Sequence, residues 1–346
     1  MRSLVDFDLK DKRVLVRCDF NVPLSKEGEI LDDFRIKQAL PTIFYLMENK
    51  AKIVLMSHLG RPGGKAVEGL KMDPVQVRLM EYLDVSVTKA PDCVGEEIEK
   101  WTKKMIPGEI LMLENLRFHK GEEEGDKSFA AKLAKMGDVY INDAFGASHR
   151  AHASISGVPE LLPSGAGLLL QREVEELSAL MESPQKPLVA VIGGAKADTK
   201  MKVIDRISAV ADWVLISGLL DKAIIKENIE LKYPGKVVKP VDEARDGKDI
   251  GPETIRIFKE KILEAGTVFW NGPFGKIEEE EFSRGTEEIA KAIIKSGSHS
   301  VIGGGETVEF VNRIGLLPKF SHVSTGGGAM LEFLSGKELP GIEALK

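Results

Sequence analysis

The segment DVYINDAFGASHR (residues 138–150) joins a short apolar run to a polar and cationic one. Its first part, DVYI, has the length and the β-branched content of a buried strand. Asp143, His149 and Arg150 follow within a few residues, and His152 comes two positions later. This segment therefore predicts a strand whose carboxyl end carries charged side chains for binding.

Runs like DVYI alternate with stretches of helical period along the whole chain. In chain order the candidate strands are RVLV (13–16), KIVLM (52–56), VSV (85–87), EILML (109–113), DVYI (138–141), PLVAVI (187–192), WVLI (213–216), KVVKPV (236–241), TVFW (267–270), HSVI (299–302) and HVS (322–324). Such alternation is typical of βαβ units and parallel sheets, and here it occurs twice. We predict an α/β fold of two doubly wound, parallel-sheet (Rossmann-like) domains joined by a hinge helix.

The length of the chain also favours two domains, because 346 residues exceed what one hydrophobic core usually holds. We expect the boundary in the loop PELLPSGAG (159–167) and the helix after it. This gives an N-terminal domain of residues 1–165, a C-terminal domain of residues 166–330 and a tail of residues 331–346.

Composition and charge are typical of some classes of protein and argue against others. Hydrophobic residues make up 43% and charged residues 29%, as in ordinary globular proteins. A net charge of −6 argues against a surface for nucleic acid. No apolar run reaches the length of a membrane span, the N-terminus lacks a signal-peptide core, and Cys18 and Cys93 are typical of reduced thiols. We therefore expect a cytoplasmic protein with neither nucleic acid nor a membrane as partner.

Polar and charged side chains follow four predicted strands of the first half, where those strands end. They lie in RCDFN (17–21), SHLGR (57–61), ENLRF (114–118) and NDAFGASHR (142–150), and LDDFR (31–35) adds one at a predicted helix start. The side chains are Asp19, Asn21, Arg35, His58, Arg61, Arg117, His149 and Arg150. Each arginine alone is compatible with an ordinary surface residue. Ligands bind at the carboxyl edge of a parallel sheet, however, and grouped guanidinium groups suit phosphate and carboxylate oxygens. We predict a cationic cup for a small, highly charged oxyanion.

The strands of the second half end in glycines instead. The segments are GGAKADTK (193–200), NGPFG (271–275), GGGET (303–307) and TGGGA (325–329). One glycine triplet alone is compatible with a tight turn, but bare backbone amides at helix N-termini bind phosphates without side-chain bulk. Lys196 and Lys200 can reach a phosphoryl group, and Glu306 offers a carboxylate to a phosphate-bound Mg²⁺. The second half therefore predicts a polyphosphate site.

Several well-known motifs are absent from the sequence. It contains no GxxxxGK[ST] phosphate loop, no complete GxGxxG, no HExxH and no GxSxG. His149 and His152 have a spacing that suits a metal, but no third ligand accompanies them. A cationic cup and a polyphosphate site facing each other across a cleft would suit phosphoryl transfer, which requires in-line positioning, charge neutralisation and exclusion of water by domain closure.

The assembled motifs resemble those of the phosphoglycerate kinase family. The matching segments, in the family's order, are RCDFNVPL, DDFRI, SHLGRP, LENLRFHKGEE, INDAFGASHRAHASI, GGAKADTK, DIGPE, WNGPFG, IGGGET and HVSTGGGAMLEFLSGKELPG. The resemblance implies reversible phosphoryl transfer in glycolysis from 1,3-bisphosphoglycerate to Mg-ADP, giving 3-phosphoglycerate and Mg-ATP. It also implies a monomer whose C-terminal tail packs back on the N-terminal domain.

The resemblance assigns residues by matching motifs. It implies that the phosphoglycerate ligand is bound by Asp19, Phe20, Asn21, Arg35, His58, Leu59, Gly60, Arg61, Arg117 and Arg150. It implies that the nucleotide is bound by Lys196, Lys200, Gly247, Asn271, Glu278, Gly304, Gly305, Glu306 and Thr307, with Glu306 as the metal ligand. The catalytic groups are then Arg35, Lys196, Gly327 and Gly328.

The chain departs from the family pattern on the nucleotide side. ISGLLDKAIIKENI (216–229) keeps only Gly218 of the usual glycine cluster, and the passage from KPVDEA to GKDIGPE lacks a longer excursion. Glu306 stands where the family commonly has aspartate. The chain is thus a shortened member with a contracted nucleotide side. A kinase-like binding or regulatory protein with a weakened nucleotide site is the alternative, and a nicotinamide-dependent oxidoreductase is a further one.

Overall fold

The computed structural model describes residues 1–194, 197–244 and 247–346, with the backbone alone for residues 197–199. Two compact units make up this chain. One contains Met1–Glu173 together with Glu338–Lys346, and the other contains Val174–Lys337. Among the described residues, no helix combines the length and the apolar character that crossing a bilayer requires.

The first unit is built on a six-stranded sheet in which every paired neighbour is parallel. In chain order its strands are β1 (Arg13–Cys18), β2 (Lys52–Met56), β3 (Val87–Lys89), β4 (Ile110–Met112), β5 (Val139–Asp143) and β6 (Ser164–Ala166). Across the sheet the order is β3-β4-β2-β1-β5-β6. Interior strands buried on both faces read as continuous apolar runs, which is why β1, β2 and β5 were recognisable in the sequence.

Helices flank this sheet, as the βαβ pattern requires. They are α1 (Phe34–Glu48), α2 (Asp73–Leu83), α3 (Glu96–Lys104), α4 (Lys120–Glu123), α5 (Lys127–Ala134) and α6 (Leu168–Glu182). The core between β1 and α1 includes Val14, Val16, Ile36 and Ile43, all fully buried. Both described cysteines, Cys18 and Cys93, are buried and unpaired.

The second unit repeats the plan with a second parallel six-stranded sheet and a small antiparallel hairpin. Its strands are β7 (Leu188–Ile192), β8 (Trp213–Ile216), β9 (Val237–Val238), β10 (Glu243–Ala244), β11 (Asp249–Ile250), β12 (Thr267–Asn271), β13 (His299–Gly303) and β14 (His322–Val323). The sheet order is β14-β13-β12-β7-β8-β9, and β10 pairs with β11. Its helices are α7 (Ala197–Val210), α8 (Gly218–Lys226), α9 (Pro252–Leu263), α10 (Arg284–Ser296), α11 (Gly305–Arg313) and α12 (Gly328–Leu334). The predicted fold of two parallel-sheet α/β domains is confirmed.

Some predicted elements differ in detail. The strand expected at VSV lies two residues later, as β3, and KVVKPV contributes only the two residues of β9. The predicted loop PELLPSGAG contains β6, which consists of small residues without an apolar pattern. The β10–β11 hairpin was not predicted, because strands of two residues carry no periodicity.

The C-terminal segment belongs to the first unit. Helix α13 (Pro340–Glu343) contains Gly341, whose amide donates to the Ser148 carbonyl at 2.9 Å. The Gly341 carbonyl accepts from Nδ2 of Asn142 at 3.0 Å. Gly341 packs so tightly that a Cβ there would lie 2.8 Å from Ser148 Oγ. These contacts tie the segment to the end of β5.

Asp143 connects the end of β5 to the beginning of α6, the helix in which the division between the two units falls. Its Oδ1 accepts from the amides of Leu169 and Leu170, at 3.0 and 3.3 Å. Its Oδ2 is buried without a hydrogen-bond partner among the described residues. Because burial leaves the charged form poorly solvated, it raises the pKa of Asp143 to about 7, against the hydrogen bonds from the Thr42 side chain and the two amides, which lower it.

We expect Asp143→Asn to become more stable relative to wild type as pH rises from about 4 to about 8. Folded wild type keeps the Asp143 proton up to about pH 7, whereas the unfolded chain releases it near the ordinary value. The folded state therefore holds more protons in this window, and its stability falls as pH rises. Chemical denaturation at several pH values should show the difference in free energy of unfolding growing by about 1–3 kcal/mol.

Asp138→Asn is the control with the opposite sign. Asp138 stands just before β5, and hydrogen bonds from Arg13 hold its pKa below the usual value. Its contribution to stability is present above that value and is lost as pH falls. Asp138→Asn should therefore be less stable than wild type at neutral pH and approach it in acid. An Asp143→Asn difference that does not change with pH would contradict the expectation.

Candidate functional site

Asp19, Arg35 and His58 meet at the carboxyl edge of the first sheet. Asp19 directly follows β1, Arg35 lies in the first turn of α1, and His58 follows β2. Arg35 Nη1 forms an ion pair with Asp19 Oδ2, and His58 Nδ1 lies 3.9 Å from Asp19 Oδ1. Burial raises the pKa of Asp19, but the positive charges of its neighbours, Arg35 foremost and Arg17 behind it, outweigh burial and lower that pKa to about 2. Asp19 is therefore a permanent anion that orients the cations around it.

Hydrogen bonds from backbone amides to polar side chains hold the neighbouring strand ends together. The Phe20 amide donates to Ser57 Oγ at 2.8 Å, and the Gly60 amide donates to Asn21 Oδ1 at 2.8 Å. The Leu59 amide donates to Asn115 Oδ1 at 3.2 Å. These bonds join the segments after β1, β2 and β4, so the predicted residues from separate parts of the sequence form one edge.

Arg117 and Arg150 lie near each other at the same edge. Arg117 Nη1 donates to the Gly60 carbonyl at 2.8 Å, and its Nε lies 3.3 Å from Glu123 Oε1. Burial lowers the pKa of Arg117, and the charges of Arg150 and Arg17 lower it further against the effect of Glu123. Because these cations repel one another, a bound anion would relieve the repulsion. Arg150 Nε donates to Nε2 of His149 at 3.2 Å, which brings both residues of the predicted cup together.

Arg61 differs from the other arginines. It follows Gly60 directly, so it lies at the same edge, but its side chain is exposed. It makes no hydrogen bond or ion pair within the described part of the chain. This leaves its fork of donors available to a ligand.

Arg17, which was not predicted as a site residue, is fully buried within the apolar run of β1. Arg17 Nη1 donates to the Cys18 carbonyl, and Nη2 lies 3.2 Å from His58 Nδ1. Glu122 and Ser154, also fully buried, stand behind it. The available signal was an arginine inside an otherwise apolar strand, since a buried charge requires partners.

In the second unit the strand ends open into a cavity of about 840 Å³. Most predicted nucleotide and catalytic residues line it, namely Lys200, Asn271, Gly304, Gly305, Glu306, Thr307, Gly327 and Gly328. Lys196 lies outside the described residues. Further lining residues that the sequence analysis did not name are Gly194, Lys202, Gly272, Leu331, Glu332, Ser335, Gly336 and Lys337. Several of these come from α12 and the segment after it, which lie within the matched segment HVSTGGGAMLEFLSGKELPG, but only its glycines were assigned a role from the sequence.

Close backbone contacts between the ends of β7, β12 and β13 form the floor of the cavity. The Gly272 amide donates to Thr307 Oγ1 at 2.8 Å, and Asn271 Nδ2 donates to the Gly303 carbonyl at 2.9 Å. Gly304 has φ +99°, and a Cβ there would lie 2.7 Å from Asn271 Nδ2. Gly304 is followed by the first turn of α11, whose backbone amides have no partners within the helix. The floor thus offers amides and the positive end of a helix to an anion.

Lys200 is a buried cation on this floor. Its Nζ donates to the Gly193 carbonyl and lies 3.5 Å from the Asn271 carbonyl. Gly247 and Glu278 are not among the residues that line the cavity. Gly247 lies beside Glu243 and Lys222, and Glu278 is exposed in a turn before α10. Both are positioned by loops after the contracted part of the chain.

Glu306 is the residue whose chemistry fits a magnesium ion. Its carboxylate is exposed in the first turn of α11 and lines the cavity beside the amide-rich floor. Mg²⁺ is commonly held by one or two carboxylates together with substrate phosphates and water. Glu332 also lines the cavity, but its carboxylate forms an ion pair with Lys337. Glu306 is therefore the carboxylate that matches that donor set.

Asp92, Cys93 and His119 form a second cluster of possible metal ligands, and their ligand atoms lie within 4.8 Å of one another. His119 Nε2 and Asp92 Oδ1 are hydrogen-bonded, and the Cys93 thiol donates to the Glu114 carbonyl at 2.9 Å. Hydrogen bonds within the protein therefore account for the cluster, which we regard as structural.

Comparisons with known proteins agree on a single family. The family model described as phosphoglycerate kinase matches residues 4–232 and 221–337. The chain belongs to the phosphoglycerate kinase family. A curated phosphoglycerate kinase from Dictyoglomus turgidum is 45% identical over 389 residues, covering 99% of this chain and 98% of that protein. Another from Pelotomaculum thermopropionicum is 43% identical with the same coverage of both chains.

Solved phosphoglycerate kinase structures share the fold over nearly the whole chain. The enzyme from Pyrococcus horikoshii superposes with a TM-score of 0.89 at 33% identity, covering 100% of this chain and 98% of that one. The enzyme from Coxiella burnetii gives a TM-score of 0.83 at 35% identity, with coverages of 99% and 98%. The two matched ranges of the family model overlap within DKAIIKENIELK (221–232).

Proposed function

We propose that this chain is an active phosphoglycerate kinase. It reversibly transfers the phosphoryl group of the 1,3-bisphosphoglycerate acyl phosphate to Mg-ADP, giving 3-phosphoglycerate and Mg-ATP in glycolysis. The observation that carries the proposal is the pairing of two anion sites of different kind at the carboxyl edges of two parallel sheets. One is made of guanidinium groups, and the other is made of backbone amides and a buried lysine.

The first site suits a small acid that bears a phosphate. Arg35, Arg117 and Arg150 bring forked donors to one edge, and Asp19 keeps Arg35 in place. Forked donors match the oxygens of carboxylate and phosphate groups. We assign this site to the triose acid, with Arg61 as an additional exposed donor and with Asn21, Leu59 and Gly60 supplying the loops that shape it.

The second site suits the nucleotide phosphates. The amides after Gly304, the Lys200 ammonium and the floor at Asn271 can hold a polyphosphate chain without displacing a side chain. Glu306 would hold Mg²⁺, which neutralises charge on the phosphate oxygens when it is bound. The family resemblance adds three further nucleotide-binding residues, Gly247, Glu278 and Lys196. Of these, Gly247 and Glu278 do not line the cavity.

Transfer itself needs positioning and charge neutralisation more than a nucleophile. Arg35 and Lys196 are proposed to flank the migrating phosphoryl group, and the amides at Gly327 and Gly328 to stabilise its charge. In-line transfer requires the acyl phosphate and the nucleotide to meet with water excluded, so domain closure is part of the proposal. We also propose a cytoplasmic monomer.

A coupled assay tests the function. ATP should form from 1,3-bisphosphoglycerate and Mg-ADP. A panel of nucleoside diphosphates in the same assay should show which nucleotide bases the shortened nucleotide site accepts. If no ATP forms, while 3-phosphoglycerate raises the melting temperature and nucleotides do not, the chain is a binding or regulatory protein and the proposal fails.

Glu306→Gln should raise the Mg²⁺ concentration for half-maximal activity about tenfold, because the amide is a much weaker ligand for a hard cation. The KM for 3-phosphoglycerate should stay unchanged, since that ligand belongs to the other site. Glu309→Gln is the matched control, because Glu309 is exposed on the same helix and does not line the cavity. An unchanged Mg²⁺ requirement in Glu306→Gln would reject Glu306 as the metal ligand.

A further inference from the structure

A chain of buried hydrogen bonds runs from Glu122 to His58 behind the cationic cup. The Glu122 carboxylate accepts from the Ser154 amide at 2.9 Å and from the Ser154 hydroxyl at 2.6 Å. The same hydroxyl oxygen accepts from Arg17 Nε at 2.8 Å. Arg17 Nη2 lies 3.2 Å from His58 Nδ1. Glu122, Ser154 and Arg17 are fully buried, and His58 is 5% exposed.

The direction of the last hydrogen bond follows from chemistry. A guanidinium group has only donors and stays protonated, so Arg17 must donate and His58 Nδ1 must accept. Asp19 Oδ1, at 3.9 Å from the same nitrogen, is too far to accept a hydrogen bond from it. A neutral imidazole that accepts at Nδ1 carries its proton on Nε2. The contact with Arg17 therefore selects one tautomer of His58.

The surroundings of His58 also keep the ring neutral. The charged groups that face it are Asp19, Arg17, Arg117 and Arg35. Burial lowers the pKa of His58 well below its usual value, and the three arginines add to this effect against Asp19. The ring thus has a single N–H, and within the described part of the chain no hydrogen bond involves Nε2. That N–H remains available to a ligand.

Arg17 is held where it is by the residues behind it. Glu122 Oε1 lies 4.0 Å from Arg17 Nη2 and is its buried counter-charge. Ser154 links the two, since its hydroxyl donates to Glu122 and accepts from Arg17. If the hydroxyl is removed, Arg17 Nε loses its acceptor and the guanidinium can turn away from His58.

We propose that Glu122 and Ser154 are positioning residues that hold Arg17 against His58, and thereby keep His58 as an Nε2–H donor to the anionic ligand of the cup. Neither Glu122 nor Ser154 needs to touch the substrate. The role of this donor toward 3-phosphoglycerate rests on the proposed function, whereas the tautomer itself does not.

Nitrogen-15 NMR of the histidine rings in the full chain tests the tautomer directly. Signals of His58 are identified by their absence from the spectrum of His58→Gln. In wild type, they should show a protonated Nε2 and an unprotonated Nδ1 from pH 6 to 8. An Nδ1–H tautomer or an imidazolium ring in this range would overturn the proposal, whether or not the protein has kinase activity.

Kinetics of variants test the positioning roles of Glu122 and Ser154. Ser154→Ala and Glu122→Gln should each raise the KM for 3-phosphoglycerate about tenfold, the effect of one well-placed hydrogen bond, and leave the KM for Mg-ATP unchanged. Their NMR spectra should show both tautomers of His58. Ser154→Thr, which keeps the hydroxyl, should recover most of the loss.

Ser148→Ala is the matched control. Ser148 is equally buried in the same segment, but its hydroxyl bonds to Asn142 and to the Ala144 carbonyl. Ser148→Ala should leave the tautomer of His58 and the KM for 3-phosphoglycerate unchanged. If Ser154→Ala behaves like Ser148→Ala, the positioning role of Ser154 is rejected. If the tautomer is as stated but wild type does not bind 3-phosphoglycerate, the proposed function fails instead. If Ser154→Ala does not fold, the tautomer of His58 in wild type and the kinetics of Glu122→Gln still test the proposal.

Discussion

Arg35→Ala should lower kcat about 100- to 1000-fold while the protein stays folded, as expected for the loss of one preorganised donor to transition-state charge. Arg35 lies in the first turn of α1, and its side chain is about one-third exposed, at 31%. Few packing contacts are therefore lost with it. The partner Asp19 remains buried beside Arg17, which limits the cost of leaving the carboxylate without Arg35.

Steady-state kinetics in both directions, together with circular dichroism and thermal melting, check this prediction. Arg35→Lys keeps a positive charge without the planar fork, so it should recover only part of the rate. Arg256→Ala is the control for loss of one arginine, because Arg256 forms exposed ion pairs on α9 and does not line the cavity. A kcat for Arg35→Ala within a few-fold of wild type would remove Arg35 from the catalytic assignment.

Gly272→Ala should lower the free energy of unfolding by about 3 kcal/mol, through backbone strain and overpacking. Gly272 has φ +96°, which side chains other than glycine rarely adopt. A Cβ there would overlap the Gly193 carbonyl oxygen and the Lys200 ammonium group. The carbonyl cannot move without shifting the end of β7, so the strain falls on the cavity floor. We therefore also expect a higher KM for Mg-ADP with little change for 3-phosphoglycerate.

Gly297→Ala separates strain from overpacking. Gly297 ends α10 with φ +67°, and a Cβ there would meet no atom within 4 Å. Gly297→Ala should lower the free energy of unfolding by only about 1 kcal/mol, the penalty of a left-handed backbone conformation for a residue with a Cβ. Denaturant titration of both variants gives the comparison. If both variants lose the same free energy of unfolding, the close approach of Gly272 to Gly193 and Lys200 does not contribute to the destabilisation.

The strands that organise both sheets could be predicted, because interior parallel strands are continuous apolar runs that break off at polar residues. The runs before Asp19, His58 and Asn271 show this directly. The grouping of arginines after separate strands was predictable for the same reason, since parallel strands bring their carboxyl ends to one edge. The short edge strand β6 and the β10–β11 hairpin have no such pattern, and their pairing depends on neighbours distant in sequence.

Local pattern in the chain is sufficient to establish the fold class, the two-domain plan and the general chemistry of each sheet edge, because hydrophobic periodicity and glycine placement act over a few residues. Long-range packing establishes the rest. Glu122 and Ser154 meet Arg17 only after β1, α4 and the segment after β5 come together. Likewise, α12 brings Leu331 and Glu332 to the cavity, although nothing in the sequence assigned them a role. Such contacts depend on side-chain orientation and burial in three dimensions, which spacing along the chain does not specify.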